Sequence, residues 1–196
     1  MYTLLLLLIY LAFISLGLPD SLLGSAWPVM HKAFQVPLSY AGLVTMIISG
    51  GTICSSLMSE RLTKKFGTQI VTVFSVMLTA IALFGFSTAS AFWMLCLWAI
   101  PYGLGAGAID AALNNYVALH YNSRHMSWLH CFWGLGTIIS PYVMSYALTT
   151  SVWQNGYRMV SFIQIGIALI LFVTLPIWKV NKKETAQEEK AEEEMV

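Results

Sequence analysis

Residues 92–121 read FWMLCLWAIPYGLGAGAIDAALNNYVALHY. Thirty residues carry a single acid, Asp110, and no lysine or arginine. About twenty mostly apolar residues are enough for a helix to cross a bilayer. This stretch is therefore read as a membrane span rather than a buried helix of a water-soluble domain. Five further stretches qualify, at 3–30, 40–58, 69–87, 128–149 and 157–178. Polar breaks at 31–39, 59–68, 88–91, 122–127 and 150–156 separate them. The expected fold class is all-α: a polytopic membrane protein with six transmembrane helices. Residues 1–180 form the bundle and 181–196 a charged cytoplasmic tail or the start of a longer loop.

Composition agrees with this. Of the 196 residues 58% are apolar and 10% charged, against about a quarter charged in a soluble domain. Up to residue 183 there are three acids against nine bases; beyond it, six acids against one base. A soluble enzyme or a nucleic-acid binder needs more surface charge than the body provides. Residues 4–8 resemble the core of a signal peptide, but no base precedes them and the apolar run continues to about Met30. Cys54, Cys96 and Cys131 fit no metal spacing and are read as buried packing thiols. No metal and no cofactor is expected.

Orientation follows from the bases in short loops. Arg61, Lys64, Lys65, Arg124, Lys179, Lys182 and Lys183 fall on one side, and Lys32 and Arg158 on the other. Both termini are thus expected in the cytoplasm, in a plasma membrane.

Asp20 and Asp110 are the acids inside the spans. A charge at mid-bilayer is costly, so such a residue is a functional candidate by default. Neither has a base within its own span, and a carboxyl in that setting can take up and release a proton. Pro19 precedes Asp20 and removes the amide that the Ser15 carbonyl would use one turn back. The first span is expected to loosen there. In the fourth span Gly103, Gly107, Asp110, Asn114 and Ala118 recur every three or four residues and share one face. The glycines admit a neighbouring backbone, and the polar half faces a cavity. In the fifth span His130, Trp133, Gly134, Thr137 and Pro141 form a similar stripe. There Trp133 suits a sugar face and His130 a hydrogen bond. The bland alternative for the acids and for His130 is a structural polar group bonded across a helix interface.

The second loop reads Ser56-Leu-Met-Ser-Glu60-Arg61-Leu-Thr63-Lys64-Lys65-Phe66-Gly67. It resembles the loop between helices 2 and 3 of the major facilitator superfamily, Gly-x-x-x-Asp-Arg-x-Gly-Arg-(Arg/Lys). Glu60, Arg61, Lys64 and Lys65 match by chemistry, while Ser56 and Thr63 replace the glycines. The resemblance implies a charge latch at the cytoplasmic face. The run from Gly103 to Val117, with Asp110 and then Asn114, is similar to helix 4 of the fucose–proton symporter family. Asp20 falls where that family carries an acid in helix 1, and His130 to Gly136 falls on its sugar-facing stretch of helix 5. His130 and Trp133 replace the amides usual there. The resemblance covers about residues 3–178, one six-helix half of a twelve-helix fold. It implies a half-transporter that takes up a sugar-like small polar solute with protons by alternating access. Its partners would be the lipid bilayer and a second six-helix half or another copy of itself.

Two other readings compete. One is a non-transporting six-helix scaffold or an inactive truncated half. The other is an intramembrane aspartyl protease, whose second aspartate should directly follow Gly-x-Gly. Here Ala108 and Ile109 separate Gly107 from Asp110. Neither an ATP-binding P-loop nor a nucleic-acid motif is present.

Overall fold

The computed structural model describes residues 2–176 and 178. The tail at 181–196, and with it Lys179, Lys182 and Lys183, lies outside the described residues. The described chain is helical throughout: α1 (Tyr2–Gly17), α2 (Leu22–Ala33), α3 (Tyr40–Phe66), α4 (Thr68–Thr88), α5 (Phe92–His120), α6 (Ser123–Thr150) and α7 (Trp153–Val173). Helices α1 and α2 are the two pieces of one broken span. Among the described residues six stretches are long and apolar enough to cross a membrane.

The break spans residues 18–21, at Pro19 and Asp20. Proline at 19 leaves the Ser15 carbonyl without its intrahelical donor. Asp20 thus sits in a turn between two helices, not within one. Three of the five polar breaks are much shorter than hydropathy suggests, while 34–39 and 89–91 stay non-helical. Residues 59–66 are the last two turns of α3, and Gly67 is the one non-helical residue before α4. Residues 123–127 and 153–156 are likewise helical. Hydropathy marks where the hydrocarbon ends, whereas a helix can keep its backbone bonded into the headgroup layer. At 1.5 Å per residue, the 27 to 29 residues of α3, α5 and α6 reach about 40 Å, beyond the about 30 Å core. Gly67 ends α3 at φ +88°, a backbone conformation that suits glycine.

Small residues set the helix crossings, as close packing in lipid requires. A Cβ at Gly103 would strike the Ile48 carbonyl, and one at Gly107 the Thr52 carbonyl, so α3 and α5 touch backbone to backbone. Three hydroxyls of α3 fasten the same contact. Thr52 donates to the Gly103 carbonyl (3.3 Å), Ser56 to Gly107 (3.1 Å) and Ser59 to Ala108 (3.3 Å). Gly17 and Gly136 do the same for α1 and α6, each lying against the other helix's main chain. Two large apolar cores and a small third cluster, of Val71, Ala108 and Ala112, fill the described bundle. One large core, with Leu22, Trp27, Met30, Phe86 and Leu95, lies at the Lys32 end. The other, with Leu5, Ile9, Phe13, Leu113 and Leu129, lies at the Lys64 end.

The cysteines correct the sequence reading. Cys54 and Cys131 are exposed and Cys96 is half-buried. Their apolar neighbours mark a lipid-compatible surface, not an interior.

Candidate functional site

The broken first span delivers Asp20 to the middle of the bundle, where two other spans hold its carboxylate. Tyr102 of α5 donates its hydroxyl to Oδ1 at 3.1 Å. Trp133 of α6 donates its indole N–H to Oδ2 at 2.8 Å. Tyr102 is buried, while Asp20 and Trp133 lie on an open face. The indole that suited a sugar is thus engaged along its N–H edge. Two turns beyond Tyr102 on the same helix, Asp110 accepts from Asn114 Nδ2 at 3.0 Å. Asn114 Oδ1 is buried and accepts no hydrogen bond from the described residues.

These groups meet in one cavity of about 320 Å³, lined by Asp20, Thr52, Tyr102, Asp110, His130 and Trp133 together with apolar side chains. That volume is at the lower end of small-molecule pockets. His130 presents its ring edge-on to Phe13, centroids 6.2 Å apart. A second cavity, of about 370 Å³, adjoins the first toward the Lys32 end. The two share Asp20, Ile48 and Tyr102. Both acids are therefore reached from one continuous groove, in which an open carboxylate can exchange a proton with water.

Of the residues picked out in the sequence, Asp20, Asp110, His130 and Trp133 line the same cavity, and Asn114 bonds one of its acids. Glu60, Arg61, Lys64 and Lys65 do not join them. They occupy the last turns of α3, where Glu60 pairs with Lys64 of its own helix at 2.6 Å, both side chains solvent-exposed. Glu60 and Lys64 line a separate groove with Ser56, Thr63 and Asn115. Tyr102 and Thr52 were missed. Tyr102 had a readable signal: positions 102, 106, 110 and 114 repeat every four residues and form one ridge of a helix.

The two aspartates do not bond each other among the described residues; their hydrogen bonds run to Tyr102, Trp133 and Asn114. That is not the paired arrangement an aspartyl protease needs to share a proton.

The model of the Major Facilitator Superfamily matches residues 9–195. The chain belongs to this superfamily. Its members are transporters rather than enzymes, and the six apolar helices mark the chain as an integral membrane protein. Among curated relatives, the glucose/mannose transporter GlcP of Bacillus subtilis is 22% identical over 182 residues, 91% of this chain and 44% of that protein. The bypass of stop codon protein 6 of Saccharomyces cerevisiae is 23% identical over 163 residues, 82% of this chain and 33% of that protein. The chain thus spans less than half the length of the curated relatives it matches.

Proposed function

We propose that this chain is one half of a proton-coupled transporter for a sugar or similar small polar solute. The observation that carries the reading is the single cavity reached by two carboxyls from different spans, Asp20 and Asp110. The similarity to a glucose/mannose transporter supports a sugar-like solute. In this reading Asp110 takes the coupled proton and Asp20 shares the role; two interacting carboxyls titrate as a pair. Asn114 holds the Asp110 carboxylate from one turn away on the same helix. His130 and Trp133 form the opposite wall. Among the described residues the α3 and α6 spans are the least buried of the six. These faces suit a second six-helix half or another copy of this chain, since alternating access needs two bundles rocking about a shared site.

The test uses the transporter assembled from this half and its partner, with labelled hexose as the probe. Asp110→Asn mimics a permanently protonated carboxyl. It should abolish proton-driven accumulation and leave counterflow exchange largely intact. Wild-type accumulation by the variant would make Asp110 a structural polar group.

Both termini and the Glu60–Lys65 turn are placed in the cytoplasm of a cell with this chain in its plasma membrane, following the bias of the bases. A cysteine at position 155 should react with an impermeant reagent from outside, and one at position 64 should not. The reverse pattern overturns the orientation.

A further inference from the structure

A crevice of about 440 Å³ opens on the outer surface of the α3–α4 hairpin, away from the transport cavity. Met58, Leu62, Phe66, Ile70, Phe74 and Leu104 line it, with Ser55 and Ser75 as its only polar lining residues. Its α4 side runs from Ile70 to Leu78, a rise of about 12 Å along the helix. That is most of the depth of one leaflet's hydrocarbon, about 15 Å. A water-soluble ligand would find only two hydroxyls here; an acyl chain matches both length and chemistry.

Two cations of α3 stand near the Phe66 end of the crevice without lining it. Phe66 lines it, and Lys65 Nζ lies 5.2 Å from the centre of the Phe66 ring. Arg61 stands one turn before Lys65 on the same ridge of α3. The nearby acid, Glu60, is paired with Lys64. Among the described residues no acid forms a salt bridge with Arg61 or Lys65, although the Arg61 charge also acts on the Glu60 carboxylate. The first turn of α4 starts directly after Gly67, and its free amides add partial positive charge at the same place. Like charges so close together favour a bound anion. We propose that this crevice is a binding site for an anionic phospholipid. One acyl chain lies along Phe74 and Leu78, and the phosphate sits between Arg61, Lys65 and the start of α4. The inference rests on the fold and not on the transport reading.

Native mass spectrometry of the full chain in detergent tests it, with phosphatidylglycerol and phosphatidylcholine of identical acyl chains as probes. Two cations at a headgroup predict about a thirtyfold preference for phosphatidylglycerol. Arg61→Gln with Lys65→Gln should bring the two lipids level. Glu60→Gln, which frees Lys64, should raise the preference. Leu104→Trp, which fills the crevice, should weaken both lipids alike. Lys32→Gln with Arg158→Gln, at the opposite end, should change nothing. Equal binding of the two lipids by the native chain overturns the proposal. So does an unchanged preference in the Arg61/Lys65 variant, an equal loss in the Lys32/Arg158 variant, or displacement of the lipid by inorganic phosphate. The Glu60→Gln arm gains binding, so a misfolded variant cannot imitate support.

Discussion

Two polar clusters lie in the middle of this bundle, and they are built in opposite ways. One joins α1, α4 and α7. Gln164 Nε2 donates to the Ser15 carbonyl at 2.7 Å, and its Oε1 accepts from Thr79 at 3.1 Å. Ser161 donates to the Ala80 carbonyl at 2.8 Å. Ser15, Thr79, Ser161 and Gln164 are each at most 4% exposed. The other joins the α1–α2 break to α5 and α6 through Asp20, Tyr102 and Trp133, and it faces the open cavity. The first is neutral and closed to water, and the side chains of Thr79, Ser161 and Gln164 each have a hydrogen-bond partner. The second holds an acid and opens to the cavity, where Asp20 and Trp133 are exposed. A buried network with its side chains paired fixes a single arrangement. An accessible charged one is free to change its bonding as protons move.

Pro19 links the two. It opens the span so that Asp20 can reach the cavity, and it leaves the Ser15 carbonyl without a helical donor. Gln164 supplies that donor from another span. The closed cluster therefore holds in place the break on which the open cluster depends.

The largest effect should come from the closed side. Gln164→Leu leaves the Ser15 carbonyl buried and unpaired, which costs about 1–3 kcal/mol. Thr79 keeps its bond to the Val76 carbonyl and adds little. The apparent melting temperature of the purified chain should fall by several degrees. Pro19→Ala in that background returns an N–H to position 19 and should recover part of the loss. No recovery would mean that the break is set by packing and not by the proline.

The six spans were legible in the sequence because the hydrocarbon core imposes a length of about twenty apolar residues. The helix ends were not, since backbone bonding continues past that core; residues 59–66 are the clearest case. Asp20 and Asp110 were legible because ionised groups are rare in spans. Gln164 and Tyr102 were not, because a neutral polar side chain shows its role only through its partner. Here those partners lie 149 and 82 residues away. The cysteines were misread for a related reason: apolar neighbours look the same whether they face lipid or a core.

The smallest effect, and the finest test of the contrast, is at Tyr102. Its hydroxyl donates to Asp20 from a buried ring. Tyr102→Phe removes one donor and keeps the packing. Asp20 retains Trp133 and the water of an open groove, so the exposed end of the bond is replaced rather than orphaned. The cost should stay below about 1 kcal/mol, the usual size of a hydrogen bond between membrane helices. In an Asp20→Ala background, Tyr102→Phe should cost nothing further, because its acceptor is already gone. Melting temperatures of the wild type, the two single variants and the double variant give the coupling directly. A coupling as large as the loss in Gln164→Leu would make Asp20 a structural post. The two clusters would then be of one kind, and the carboxylate would not be free to trade its partners for a proton.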